Sequence, residues 1–156
     1  MRRPGADLLL CINTMHQVAA AVRIPMLHLV EVTAAAARGA GVRTVGLLGA
    51  AFTMEQDFYR DRLASHGLTV IVPEVADRAI AHRVIYDELV VGVVSQASRK
   101  TYLAVIDRFV PAGAQGIVPG CTEIELLIGL HDSPVPAFAT TRIRVGAAVD
   151  RALTEG

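Results

Sequence analysis

The sequence lacks several features that would assign it to a class of protein. It has no tryptophan, and its basic and acidic side chains are equal in number, 15 of each, so that the formal net charge is zero. Balanced charge provides no basic field to attract nucleic acid, so nucleic acid is not expected as a partner. No apolar segment approaches the roughly 20 residues of a membrane span. We therefore expect no membrane partner either.

Cysteine is also scarce, and the amino-terminal segment does not have the pattern of a signal peptide. Arg2 and Arg3 precede an apolar run at residues 8–10, but Asp7 and Asn13 leave this run too short for the apolar region of a signal. Two cysteines without an export signal are more consistent with free thiols than with a disulfide. These observations predict a cytoplasmic protein.

Short apolar runs alternate with longer amphipathic segments along the 156 residues, a length typical of one domain or a small fused pair. This alternation predicts an α/β fold, with a parallel sheet and helices on both of its faces. Thr53 and Gln56 have the spacing of a capping box, which places the start of a helix at Thr53. The predicted strands are residues 8–11, 26–30, 44–49, 68–72, 117–118 and 135–138, and the predicted helices are 16–22, 31–38, 53–66, 77–94, 98–109, 123–128 and 142–153.

Each of the two cysteines, Cys11 and Cys121, follows an apolar run that is predicted as a buried strand. Ligands of parallel α/β sheets bind beyond the carboxyl ends of the strands. Cys121 is followed by Thr122, Glu123 and a predicted helix, whose free N–H groups lower the pKa of a nearby thiol. We therefore predict that Cys121 is a reactive thiolate. The alternatives are an inert buried cysteine, with Thr122 and Glu123 acting only as helix caps.

Segments spread along nearly the whole chain resemble the aspartate/glutamate racemases, within the wider Asp/Glu/hydantoin racemase group. The segments that carry the resemblance are Asn13-Thr14-Met15-His16, Gly46-Leu47-Leu48-Gly49, Phe52-Thr53-Met54-Glu55-Gln56, Ile85-Tyr86-Asp87-Glu88-Leu89, Gly120-Cys121-Thr122-Glu123-Ile124 and Phe138-Ala139-Thr140-Thr141-Arg142-Ile143.

The resemblance implies a fold, a reaction and an absence of cofactors. Members of the family look like two pseudo-symmetric α/β lobes that face each other across a cleft, usually as homodimers. They act on a small acidic amino acid without pyridoxal phosphate or metal. Inversion at the α-carbon needs a base and an acid on opposite faces of the substrate, and the family usually supplies both as cysteines.

The resemblance also assigns site residues. Cys121 matches the second acid/base residue of the family, and the first such position falls at Ile12, which cannot transfer a proton. Cys11 is its neighbour and the candidate for the opposing catalytic residue, although adjacent side chains of a strand point to opposite faces, which favours a small buried thiol. The residues expected to bind substrate are Asn13, Thr14, Thr53, Thr122 and Glu123.

Two functions follow from the resemblance. The first is an amino-acid racemase that acts on aspartate or glutamate by proton abstraction and return at the α-carbon. The second is an impaired or inactive homologue, acting as a binding protein or as an enzyme with a single base, since Ile12 replaces a catalytic residue.

The implied domain organisation is a remnant of the first lobe at residues 1–40, the second lobe at 41–138, and a helix at 139–156 that returns to the first lobe. Family members carry a further segment before Gly5, so the first lobe is expected to be incomplete. Strand edges and apolar surface that are left uncovered favour association with other chains. We therefore expect a homodimer or another form of self-association.

Overall fold

The structure is a computed structural model, and it describes residues 26–129 and 131–154. In this part of the chain, three parallel strands form one sheet in the order β2-β1-β3. The strands are β1 (Thr44–Leu48), β2 (Thr69–Ile71) and β3 (Gly116–Pro119). The helices are α1 (Leu29–Gly39), α2 (Ala51–Glu55), α3 (Asp57–Ser65), α4 (Val75–Asp87), α5 (Gln96–Phe109), α6 (Ile124–Leu127) and α7 (Thr140–Thr154), with a 3-10 helix at Leu89–Val91.

Side chains of the central strand alternate between two hydrophobic layers, as the pleat of a strand requires. Val45 and Leu47 pack with residues of α1 and α3 on one face. Leu48 packs with residues of α4, α5 and α6 on the other face. The predicted α/β fold, with a parallel sheet covered on both faces, is therefore confirmed.

Gly46 allows α5 to lie close to the sheet. A Cβ atom built on Gly46 would lie 2.6 Å from Cδ1 of Phe109 and 2.9 Å from Cδ1 of Ile117. Both distances are shorter than a carbon–carbon contact can be. The aromatic ring at the end of α5 therefore occupies the space that a side chain at position 46 would need.

The strand predicted at residues 26–30 is wrong. Met26 forms an isolated bridge, and Leu29 already begins α1. His28 is the N-cap residue of this helix, because its Nδ1 accepts a hydrogen bond from the N–H of Val30 at 3.3 Å. Leu29 and Val30 are buried because they lie in the first turn of a helix that packs on the sheet.

The predicted helix start at Thr53 is also wrong. α2 begins at Ala51 with Ala50 as its N-cap, and Thr53 lies inside the helix. Gln56 does not complete a capping box, since it is the C-cap of α2 and the N-cap of α3. The extended backbone of Gln56, with φ −79° and ψ 143°, divides the predicted helix into two.

Two further elements differ from their predictions. The strand predicted at residues 135–138 is reduced to an isolated bridge between Ile117 and Ala137, since Pro136 has no N–H to donate to a ladder. The helix predicted at residues 77–94 ends at Asp87 and is followed by the 3-10 helix. Gly92, with φ +79°, terminates this short helix in a left-handed conformation that favours glycine.

Several predictions fall on residues outside the described part of the chain. They are the strand at 8–11, the helix at 16–22, and the site residues Cys11, Ile12, Asn13 and Thr14. The division into segments 1–40, 41–138 and 139–156 also stays a prediction. No helix of the described residues is long and apolar enough to cross a membrane.

Candidate active site

The candidate site lies at the carboxyl edge of the sheet, where β1 and β3 end side by side. Leu48 pairs with Pro119 in the parallel register, so Gly49 and Gly120 are the next residues beyond the ladder. The N–H of Gly120 donates to the carbonyl of Leu48 at 2.7 Å. This hydrogen bond continues the ladder by one residue and fixes the peptide that leads into Cys121.

Cys121, Thr122 and Glu123 form one hydrogen-bonded group. The thiol of Cys121 donates to Oε2 of Glu123 at 2.8 Å, and the hydroxyl of Thr122 donates to the same oxygen at 3.0 Å. α6 begins at the following residue, but the Glu123 side chain makes no capping hydrogen bond to it. The carboxylate therefore binds the thiol and does not cap α6.

The protonation of this group differs from the prediction. Burial raises the pKa of the Cys121 thiol to about 12, and the hydrogen bond to Glu123 and the negative charge of that residue add to the rise. The same hydrogen bond holds the pKa of Glu123 below its usual range. The N–H groups of Thr122 and Glu123 lower the pKa of the thiol as expected, but burial and Glu123 outweigh them, so the net shift is upward and not downward. At neutral pH the proton lies on sulfur, and the carboxylate is charged.

Thr53 lies beside this group although it is distant in sequence. Its side chain is only 2% exposed and faces the two glycines that follow β1 and β3. A Cβ atom on Gly120 would lie 2.9 Å from Cγ2 of Thr53, and one on Gly49 would lie 3.3 Å from Cβ of Thr53. The structure therefore brings Thr53, Thr122, Glu123 and Cys121 to one edge of the sheet.

Two residues near the site were not predicted from the sequence. Nδ1 of His82, on α4, accepts a hydrogen bond from the N–H of Ala51 at 3.3 Å. Tyr102, on α5, is fully buried, and its pKa is raised by burial and by the charges of Cys121 and Glu88. The sequence signal for His82 is its spacing of four residues from Tyr86, which places the two rings on one helix face.

Among residues 26–129 and 131–154, no group of three or more histidine, cysteine, aspartate or glutamate side chains is arranged to hold a metal ion.

Solved structures similar to this chain include two with high TM-scores. A candidate Asp/Glu racemase from Yersinia pestis is 46% identical with a TM-score of 0.89, and the alignment covers 94% of this chain and 66% of that chain. An aspartate racemase homologue from Pyrococcus horikoshii OT3 is 29% identical with a TM-score of 0.85, again over 94% of this chain and 66% of that one. The chain thus spans slightly less than two thirds of these two relatives.

Sequence comparisons agree with the structural ones. A protein encoded in the 3′ region of pnlA in Pectobacterium carotovorum subsp. carotovorum is 30% identical over 109 residues, which is 68% of this chain and 69% of that protein. The family model described as Asp/Glu/Hydantoin racemase matches residues 3–148. This match includes the Cys121 group, Thr53 and nearly all of the described fold. The chain therefore belongs to the Asp/Glu/hydantoin racemase family.

Proposed function

We propose that this protein transfers protons at the α-carbon of aspartate or glutamate without a cofactor, with Cys121 as an acid/base residue. The observation that carries the proposal is the contact of 2.8 Å between the Cys121 thiol and the Glu123 carboxylate, at the edge of the sheet where parallel α/β folds bind ligands. Membership of the family supports the type of reaction. The relatives described as aspartate or Asp/Glu racemases support the acidic substrate.

In this proposal the protonated Cys121 acts as the acid. The S–H bond breaks as a C–H bond forms at the α-carbon, and the electron pair of the S–H bond stays on sulfur. The product thiolate faces the negative charge of Glu123, which opposes its formation and favours its return to the thiol. In the reverse direction, the thiolate removes the α-proton and the carbanion keeps the electron pair of the C–H bond.

The opposing proton transfer needs a group on the other face of the substrate. We propose Cys11 for this role, with Asn13 and Thr14 binding the substrate beside it. On the side of the described site, we propose Thr53, Thr122 and Glu123 as substrate-binding residues. A homodimer or other self-association and a cytoplasmic location, both predicted from the sequence, are part of this proposal.

A second candidate function is proton transfer by Cys121 alone. Ile12 occupies the position of the first acid/base residue, and the Cys121 thiol is protonated at neutral pH because burial and Glu123 raise its pKa to about 12. A protonated thiol suits an enzyme that delivers a proton to one face of a carbanion. Such an enzyme would exchange the α-proton of one enantiomer and would not need Cys11.

Exchange of the α-proton in deuterium oxide separates these functions. L- and D-aspartate and L- and D-glutamate are incubated with the full chain, and the loss of the α-proton signal is followed by NMR together with the enantiomer ratio. Cys121→Ala should lower the rate by about 10²–10⁴, the usual contribution of an acid/base residue. Cys11→Ala is the matched variant, because it removes the other cysteine of the chain.

Each outcome has a defined meaning. Exchange with inversion that is lost in both variants supports the two-base racemase. Exchange from one enantiomer that survives Cys11→Ala supports proton transfer by Cys121 alone. A folded wild-type chain, checked by circular dichroism, that exchanges none of the substrates would contradict both functions.

A further inference from the structure

The loop between β1 and α2 is held in place by a side chain of α4. The N–H of Ala51, in the first turn of α2, donates to Nδ1 of His82 at 3.3 Å. N–H groups in the first turn of a helix have no partner within the helix itself. His82 therefore supplies an acceptor that the backbone of the loop does not provide.

The imidazole of His82 is itself fixed by its neighbours on α4. Its ring centroid lies 4.5 Å from that of Tyr86, with an angle of 42° between the ring planes. Arg78 lies one turn before His82, and its Nε is 3.3 Å from Oε1 of Glu55 at the far end of α2. Tyr86 on its own helix thus contacts the imidazole directly, and the ion pair of Arg78 and Glu55 is a second link between α4 and α2.

The position of α2 matters because α2 carries Thr53. The helix has only five residues, and a helix of this length has little stability of its own, so its position depends on tertiary contacts. Thr53 faces Gly120, where a Cβ atom would lie 2.9 Å from its Cγ2. A displacement of α2 would therefore be transmitted to the peptide that precedes Cys121.

We infer that His82 is a positioning residue of this site, and that its neutral imidazole holds the start of α2 so that Thr53 stays packed against the Cys121 loop. An imidazole whose Nδ1 accepts a hydrogen bond carries its proton on Nε2. A protonated imidazole has two donors and no acceptor, and its charge would face the positive end of α2. Protonation of His82 should therefore release the N–H of Ala51. The consequence for catalysis rests on the proposed function.

The contact can be tested without any catalytic activity. In long-range ¹H–¹⁵N NMR spectra of the full chain, His82 should be the Nε2–H tautomer at neutral pH. The amide signals of Ala51 and Thr53 should shift as this imidazole is protonated. In His82→Phe, which keeps an aromatic ring beside Tyr86 but has no acceptor, that shift should be absent. His66→Phe is the matched control, because it makes the same substitution at a histidine that lies at the end of α3.

A kinetic measurement tests the positioning role. In His82→Phe the KM of the exchanged substrate should rise about fivefold at neutral pH, as expected for the loss of one neutral hydrogen bond, while kcat changes less than KM. His82→Asn, whose amide oxygen can accept the hydrogen bond, should restore part of the wild-type KM.

The two proposals fail in different ways. If the wild-type chain exchanges no substrate but the Ala51 and Thr53 amides follow the protonation of His82, the proposed function fails and the contact stands. A His82 that carries its proton on Nδ1 at neutral pH would overturn the inference. So would a His82→Phe variant that exchanges substrate with the wild-type KM.

Discussion

The loops that follow β1 and β3 leave the same edge of the sheet, and they differ in what they contribute. Residues 49–53 are the loop after β1 together with the first turn of α2, and they are called the β1 loop below. They contain no titratable side chain. Residues 120–123, after β3, contain a thiol, a hydroxyl and a carboxylate that bind one another. The β3 loop therefore holds the reactive group, and the β1 loop provides the packed surface that fixes where this group lies.

The loops also differ in how their polar groups are satisfied. In the β3 loop, the donors Cys121 and Thr122 find their acceptor in the same loop, at Glu123. In the β1 loop, the N–H of Ala51 finds its acceptor on α4, at His82. The chemistry of the β3 loop should thus respond mainly to local substitutions, whereas the β1 loop should respond to changes in α4.

The largest effect is expected from Glu123→Gln. The amide carries no charge to oppose the thiolate, so the pKa of Cys121 should fall from about 12, although burial will keep it raised. Each unit by which the pKa falls increases the fraction of thiolate about tenfold at any pH well below the pKa. The rate of alkylation by iodoacetamide, measured from pH 7 to 11, should therefore rise at every pH below the wild-type pKa.

Glu125→Gln is the matched control for this measurement. Glu125 lies on α6 close to the thiol in sequence, but its carboxylate accepts a hydrogen bond from the N–H of Thr141. Its alkylation profile should follow that of the wild type. Equal profiles for Glu123→Gln and the wild type would show that the carboxylate does not oppose the thiolate.

The next effect concerns the glycines that begin the two loops. In Gly120→Ala the new Cβ atom would lie 2.9 Å from Cγ2 of Thr53 and 3.1 Å from Cδ1 of Leu47, so the free energy of unfolding should fall by about 1–3 kcal/mol, as overpacked cores do. In Gly49→Ala the nearest atom would be 3.3 Å away, so the loss should be smaller. Urea unfolding of both variants measures the difference, and equal stabilities would contradict the close packing of Thr53 on Gly120.

The smallest effect is the coupling between the two loops. Thr53→Ser removes the Cγ2 methyl group that a side chain at position 120 would meet, so it should make Gly120→Ala less destabilising. A double-mutant cycle by urea unfolding should give a coupling energy of about 0.5–1 kcal/mol, as for residues in direct contact. Additive effects would mean that Leu47, and not Thr53, limits the space at Gly120.

Much of this arrangement could be predicted from the sequence, because the apolar runs that become β1 and β3 are bounded by glycine. Strands of a parallel sheet end at one edge, and this rule places Cys121 at the same edge as the residues that follow β1. The sequence does not predict that β1 and β3 are neighbours, as they are in the structure. The protonation of Cys121 could not be predicted. It depends on the direction of the Glu123 side chain, which the sequence left open between a helix cap and a partner of the thiol.

The errors in the fold have a common cause. Residues 26–30 form a short apolar run, and a run of that length does not distinguish a buried strand from the first turn of a buried helix. His28 decides the outcome by capping α1. At Thr53, the local capping pattern predicts a start two residues later than the observed one at Ala51, whose N–H binds His82, a tertiary contact that a local pattern cannot include.

Because Phe109 packs on Gly46, a substitution at position 46 cannot be made independently of the side chains that surround it. Any side chain at position 46 needs the volume that the aromatic ring now fills, since the two would lie 2.6 Å apart. An alanine there needs a smaller residue at position 109 and also space from Ile117, whose Cδ1 would lie 2.9 Å from the new Cβ atom. A stabilised variant of this chain should therefore be designed with positions 46, 109 and 117 changed together or left alone.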